Sequence, residues 1–131
     1  MKRVFLDANV LFSAAYRSDA AVRRLWQLKI AALMTSAYAA EEARRNLANP
    51  AQLAALEELL NSIQVMPESP QYLPWASKLV PDKDAPILAA AIGARADVLL
   101  TGDIKHFGEL MLRSDLPLRV YTVRAFLTKP K

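Results

Sequence analysis

The sequence contains no cysteine and only one histidine in its 131 residues. Without cysteine the chain has no disulfides, no cysteine-ligated zinc or iron–sulfur centre and no thiol nucleophile. One histidine is too few for a histidine-rich metal site and makes a Ser-His-Asp triad hard to build. Any chemistry must therefore rest on carboxylates, hydroxyls, lysines or backbone groups.

Long apolar runs are also absent, and the longest fall far short of the roughly 20 residues that span a bilayer. The first 16 residues resemble a signal peptide, because Lys2 and Arg3 precede an apolar stretch. Asp7 and Asn9 lie inside that stretch, however, and the apolar region of a secretory signal does not tolerate a central charge. We therefore expect a cytoplasmic protein that is not associated with membranes.

Length and charge favour one domain with a weakly basic surface. A chain of 131 residues suits a single domain, here 1–131. The 17 Lys and Arg against 13 Asp and Glu give a net charge of +4, which favours a polyanionic partner only weakly. The apolar fraction of 53% slightly exceeds that of typical soluble monomers, so we expect a homodimer with a buried face.

Short apolar runs alternate with helical patterns along the chain. The runs typical of buried strands are 4–6, 32–35, 63–66, 97–101 and 118–123. The helical patterns are 20–30, with Ser18 or Asp19 as its cap, then 36–47, 53–60, 72–79 and 84–92. Such alternation is typical of βαβ units and predicts an α/β fold with a mostly parallel sheet covered on both faces.

Two carboxylates follow the ends of predicted strands. Asp7 ends the first strand, and Asp103 follows the strand at 97–101. In open α/β sheets ligands bind beyond the carboxyl ends of the strands, so both side chains are expected at one edge of the sheet.

Further acids are expected near the same edge. Glu41 and Glu42 both lie in the second turn of the helix at 36–47, and either is a candidate. Asp82 and Asp84 lie at the start of the helix at 84–92, and again either is a candidate. Clustered carboxylates need a countercharge, because like charges raise one another's pKa. Oxygen ligands without histidine suit one or two Mg²⁺ or Mn²⁺ ions, which also bind substrate phosphates. The pattern therefore predicts metal-assisted hydrolysis of phosphodiesters.

Four segments occur together in one order, at 4–11, 42–47, 84–87 and 100–103. With this order the chain resembles the PIN-domain family from Val4 to about Val123, particularly the small prokaryotic toxin components of toxin–antitoxin pairs of the VapC type. The resemblance implies a Rossmann-like three-layer α/β/α sandwich and a Mg²⁺- or Mn²⁺-dependent ribonuclease that cuts single-stranded RNA. It also implies a small antitoxin partner.

The resemblance further implies which residues form the site. The acidic pocket would comprise Asp7, Glu42, Asp84 and Asp103, with Asp7, Asp84 and Asp103 as metal ligands, Glu42 as ligand or base, and Asn9 and Thr101 as supporting polar groups. Glu42 is preferred to Glu41 because an apolar residue and an arginine follow it, and Asp84 is preferred to Asp82 because an aliphatic residue, Ile87, lies three positions later.

Each of these residues also has a purely structural interpretation. Asp7 and Asp84 suit helix caps, Asp103 suits a turn, and Glu42 suits an exposed helix face. We expect His106 to be a solvated loop side chain. The basic residues near the pocket either guide RNA phosphates or lie on solvated surfaces, and they are Arg44, Arg45 and Lys105.

Three functions remain open from the sequence. The first is the metal-dependent endoribonuclease, and the second is a catalytically silent PIN fold that binds RNA or protein. The third is an aspartyl phosphotransferase of the haloacid-dehalogenase type with Asp7 as nucleophile. That type would place aspartates where this chain has Asn9 and Phe107, so it ranks last.

Overall fold

A five-stranded parallel sheet forms the centre of the protein, in a computed structural model that describes residues 1–128. The strands are β1 (Lys2–Leu6), β2 (Ala31–Ser36), β3 (Gln64–Met66), β4 (Val98–Leu100) and β5 (Arg119–Tyr121). Their order is β3-β2-β1-β4-β5, and all four pairings are parallel. Helices cover both sides of the sheet, so the predicted α/β sandwich is confirmed.

The helices lie in the connections between strands, except the last, which follows the last strand. They are α1 (Ala8–Tyr16), α2 (Ala37–Arg45), α3 (Pro50–Asn61), α4 (Leu73–Ala76), α5 (Ala85–Gly93), α6 (Ile104–Phe107) and α7 (Val123–Thr128). Short 3₁₀ segments occupy Ala21–Gln27, Pro70–Tyr72 and Leu110–Leu112. No helix within residues 1–128 has the length and apolar character needed to cross a membrane.

The order of the strands determines where a ligand can bind. From β1 the chain proceeds outward to β2 and β3, then returns to the other side of β1 to form β4 and β5. The direction of the connections therefore reverses between β1 and β4, and their carboxyl ends border a crevice. The last three residues of β1 and all three residues of β4 are buried and apolar, which explains why helices must cover them on both faces.

One predicted helix is wrong. The segment 20–30 forms the 3₁₀ helix Ala21–Gln27 rather than an α-helix. Neither predicted cap, Ser18 or Asp19, occupies the cap position, and Asp19 binds the guanidinium of Arg17 at 3.1 Å. The residue at the cap position is Ala20, whose side chain has no acceptor, so the first amides of this segment lack the stabilisation a capped helix receives.

Other boundaries differ from prediction for local reasons. The helix predicted at 72–79 is divided into Pro70–Tyr72 and α4, with Pro74 near the start of α4. The last strand ends at Tyr121, because Val123 begins α7. Helix α1 was not predicted, and the side chain of Asp7 caps it by accepting a hydrogen bond from the amide of Ala8.

Gly93 at the end of α5 lies against buried Ser69. A methyl group at position 93 would overlap the Ser69 hydroxyl and lie 2.6 Å from its Cβ. We therefore expect Gly93→Ala to lower the free energy of unfolding by about 1–3 kcal/mol, although alanine favours helix by about 1 kcal/mol. Urea denaturation measures this, and Ser69→Gly in the same chain should restore most of the loss. A Gly93→Ala protein as stable as the wild type would show that the contact relaxes freely.

Candidate metal centre

Asp7 lies at the junction of β1 and α1 and is 3% exposed. Its Oδ1 accepts from the Ala8 amide at 2.7 Å, and its Oδ2 accepts from the Thr101 hydroxyl at 2.7 Å. Burial raises the pKa of Asp7 to about 6, and these hydrogen bonds only partly oppose the rise. The negative charges of Asp84 and Glu42 raise the pKa of Asp7 further. Both carboxylates are therefore close enough to Asp7 to interact with it electrostatically.

Asn9 and Thr101 connect the ends of β1 and β4. The Asn9 amide nitrogen donates to Asp7 Oδ2 at 3.0 Å and to Thr101 Oγ1 at 3.3 Å. The Asn9 carbonyl oxygen accepts from the Gly102 amide at 2.7 Å, and Thr101 Oγ1 accepts from the Asp103 amide at 3.0 Å. This network fixes the rotamer of Asp7 and the course of the chain toward Asp103.

Asp84 lies at the cap position of α5, but its carboxylate does not cap the helix. Within residues 1–128 its side chain accepts no capping hydrogen bond from α5, although the residue occupies the cap position. Asp84 is 5% exposed, and burial raises its pKa, with opposition from the charges of Lys83 and His106. The carboxylate is therefore available to a ligand in the crevice.

His106 does not extend into solvent, so that prediction is wrong. Its Nδ1 lies 2.8 Å from Asp103 Oδ2 and 3.0 Å from Asp84 Oδ2, and its side chain is 23% exposed. The reason is local, because Asp103 Oδ1 caps α6 by accepting from the His106 amide at 3.0 Å. This cap directs the imidazole toward the carboxylates.

The four acids implied by the resemblance line one cavity of about 600 Å³, and they are Asp7, Glu42, Asp84 and Asp103. Asn9 and Gly102 also line it. The alternatives do not line the cavity, since Glu41 is exposed and pairs with Arg44 at 3.5 Å, and Asp82 is exposed. The fold thus brings together one acid from each of four segments that are far apart in sequence.

The basic residues differ in what they contact. Arg44 binds Glu57 at 2.6 Å, so its charge is already compensated, and this contact raises its pKa. Arg45 and Lys105 are exposed, and neither forms an ion pair with another residue in the described part of the chain. Lys83 lines the cavity, and its carbonyl accepts from the Tyr38 hydroxyl at 2.8 Å.

Sequence reasoning missed Lys83 and His106. Lys83 adjoins the acid at 84, so its position next to a predicted ligand was the available signal. His106 follows Asp103 by three residues. At this spacing the side chain of a helix-capping acid contacts the residue one turn into the helix.

The cluster was tested for its fit to a divalent cation. One donor atom each from Asp84, Asp103 and His106 lies within 4.8 Å of the others. Asp84 Oδ2 is fully buried, yet it lacks an aligned hydrogen-bond partner within residues 1–128. A bound cation stabilises a buried carboxylate oxygen that has no aligned hydrogen bond. These residues therefore fit a divalent cation. The group of donors contains an imidazole nitrogen, whereas oxygen donors alone were expected.

Comparison with known proteins gives the family. Residues 3–105 match the family model of the PIN domain. VapBC2 from Rickettsia felis bound to a promoter DNA fragment is similar in structure, with a TM-score of 0.72, 15% identity and coverage of 92% of this chain and 98% of that chain. FitAB bound to an IR36 DNA fragment is also similar, with a TM-score of 0.60, 19% identity and coverage of 92% and 94%. Among curated proteins none matches significantly. Since the family model spans most of the sequence, the chain belongs to the PIN domain family.

Proposed function

We propose that the protein is a Mg²⁺- or Mn²⁺-dependent endoribonuclease that hydrolyses phosphodiester bonds of single-stranded RNA. The observation that carries the proposal is the buried carboxylate oxygen of Asp84, which has no aligned hydrogen bond within residues 1–128 and belongs to a cavity shared with three further acids. The pKa values of two of these carboxylates, Asp7 and Asp84, are raised, and such groups in a crevice at the switch point of an α/β sheet are typical of a functional site. Membership of the PIN domain family favours a nuclease.

The proposed mechanism assigns a role to each residue. Asp7, Asp84 and Asp103 would hold one or two ions, which would supply a more acidic water and positive charge beside the phosphate. Glu42 lies at the cavity wall and accepts the proton of the attacking water, or serves as a further ligand. Asn9 and Thr101 keep Asp7 in one rotamer through their hydrogen bonds.

RNA binding is assigned to cations around the cavity. Lys83 lines it, and Arg45 and Lys105 are exposed cations, so these three are available to phosphates. Arg44, paired with Glu57, contributes less unless RNA displaces that carboxylate. The net charge of +4 supports this assignment once the ions compensate the acids of the cavity.

Lys83→Ala is expected to weaken binding of single-stranded RNA, because one phosphate contact is lost. The slope of log affinity against log salt should become shallower by about 0.7–1. Fluorescence anisotropy with a labelled oligoribonucleotide in EDTA measures both. The matched control is Lys78→Ala, an exposed lysine outside the cavity, which should leave the slope unchanged. Equal slopes for both variants would remove Lys83 from the RNA contacts.

The biological role proposed is that of the toxin in a type II toxin–antitoxin pair, acting as a homodimer in the cytoplasm. The similarity of the fold to VapBC2 supports it, together with the sequence resemblance to VapC-type toxins. A small antitoxin would bind across or beside the acidic cavity. Its gene should lie directly upstream as a short overlapping reading frame with a DNA-binding pattern, and the absence of such a frame would favour an orphan nuclease.

A direct assay tests the proposed activity. Protein treated with EDTA should leave 5′-labelled single-stranded RNA intact, and addition of Mg²⁺ or Mn²⁺ should start internal cleavage. RNA binding without cleavage under all metal conditions would instead support the catalytically silent PIN module.

A further inference from the structure

We propose that His106 is a direct ligand of the cation in the acidic cavity, and that its nitrogen makes the site prefer a first-row transition ion to Mg²⁺. The inference rests on the proposed function, because it concerns the ion of that same site. It adds a donor of different chemistry to a site for which only oxygen ligands were expected.

The spacing of the donor atoms matches a coordination sphere. His106 Nδ1 lies 2.8 Å from Asp103 Oδ2 and 3.0 Å from Asp84 Oδ2. In an octahedral site with bonds of about 2.1 Å, adjacent ligand atoms are about 3 Å apart. Each carboxylate oxygen is therefore already as far from Nδ1 as a neighbouring ligand of one ion would be, and the donor atoms of the three residues all lie within 4.8 Å of one another.

The alignment of these contacts is the second observation. Although the distances are short, neither is oriented as a hydrogen bond, and both His106 Nδ1 and Asp84 Oδ2 remain buried without an aligned partner in the described chain. The other ligands of an ion bound to the ring nitrogen would lie to the side of the ring axis rather than on it. A ring N–H is poorly aligned with both carboxylates in that arrangement. One cation accounts for both unpartnered atoms.

The chain holds the imidazole in place before any ion binds. Asp103 Oδ1 accepts from the His106 amide at 3.0 Å, and the adjacent Phe107 is fully buried. Helix α6 therefore has one orientation, set by a cap on one side and a core side chain on the other. A preplaced ligand loses little conformational freedom on binding.

The nitrogen donor has a consequence for metal selection. Carboxylates and water suit Mg²⁺, whereas imidazole is a better ligand for the borderline divalent ions of the first transition row. Mn²⁺ is a suitable probe, because it accepts both donor types and is paramagnetic. We therefore expect Mn²⁺ to bind more tightly than Mg²⁺, and His106 to be the source of the difference.

Pulsed electron paramagnetic resonance of Mn²⁺ bound to EDTA-stripped protein tests the ligand directly. We expect the modulation of a directly coordinated ¹⁴N, and its replacement by that of ¹⁵N when the protein is labelled with ¹⁵N-histidine. Because this histidine is the only one in the sequence, labelling identifies it without any substitution. Bound Mn²⁺ with no nitrogen modulation would overturn the inference and leave the proposed function standing, whereas absence of Mn²⁺ binding would overturn both.

Substitutions test the selectivity by calorimetry. His106→Asp provides oxygen in place of nitrogen, so the preference for Mn²⁺ over Mg²⁺ should fall by about tenfold or more. The control is Ile104→Ala on the same helix, where the side chain is 64% exposed, and its preference should equal that of the wild type. An unchanged preference in a folded His106→Asp protein would refute the assignment of selectivity to His106.

Discussion

Asp7→Asn is expected to reduce metal-dependent cleavage of single-stranded RNA by about 10³-fold or more. The substitution removes a negative charge from the cavity, which weakens cation binding. It also places an amide nitrogen opposite the Asn9 amide nitrogen, which now donates to Asp7 Oδ2 at 3.0 Å. Two donors cannot satisfy each other, so the side chain at position 7 must rotate or lose a contact. Single-turnover cleavage of a labelled oligoribonucleotide with Mn²⁺ measures the loss.

The matched control for this loss is Asp82→Asn. Asp82 is an exposed acid outside the lining of the cavity, so its substitution makes the same change in net charge without altering the site. We expect this variant to cut RNA at close to the wild-type rate. Equal cutting by Asp7→Asn and Asp82→Asn would refute the assignment of Asp7.

The same substitution should change how stability depends on pH. Burial holds the pKa of Asp7 at about 6 in the folded protein, against 3.8 for an unperturbed aspartate. The folded state therefore binds this proton more tightly than the unfolded state. The stabilisation from the protonated carboxyl is complete below about pH 4 and is lost as pH rises through about 6. A difference of about two units corresponds to about 3 kcal/mol.

Asp7→Asn has no such titration, so the stability of the variant relative to the wild type should increase with pH. In EDTA, the difference in free energy of unfolding between variant and wild type should be about 2 kcal/mol more favourable to the variant at pH 7.5 than at pH 4.5. The comparison between two pH values cancels the loss of hydrogen bonds at Asn9, because that loss is present at both. Denaturant unfolding at each pH measures it.

Asp115 is the control for this pH effect, because its pKa is shifted in the opposite direction. The guanidinium of Arg113 lies 2.7 Å away and lowers the pKa of Asp115 to about 2. Asp115→Asn should therefore gain no stability relative to the wild type as pH rises. If Asp7→Asn shows the same difference from the wild type at both pH values, Asp7 is not the buried acid described above.

The part of the site that lies at strand ends was predictable from the residues alone. Asp7 and Asp103 follow short apolar runs, and parallel strands place their carboxyl ends at one edge whatever the details of packing. The residues alone did not select Glu42 and Asp84 over the neighbouring acids. Helical periodicity cannot separate Glu41 from Glu42, so only the family resemblance selected the one that lines the cavity.

The features that sequence could not predict depend on short or weak local structure. Helix α6 has four residues, too few to show a hydrophobic period, and so the direction of His106 was not evident. The segment 20–30 has an α-helical apolar pattern, but Asp19 binds Arg17 instead of capping it. In both cases polar side-chain contacts accompany the local structure, and the pattern of apolar residues does not predict such contacts.

The central claim is that the acidic cavity holds a divalent cation, and calorimetric titration of Mn²⁺ into EDTA-treated protein at neutral pH tests it most directly. The account predicts binding of one or two ions per chain, and loss of that binding in Asp84→Asn, which removes the buried carboxylate. No binding to the wild type, or equal binding to Asp84→Asn, would contradict it and favour the catalytically silent module.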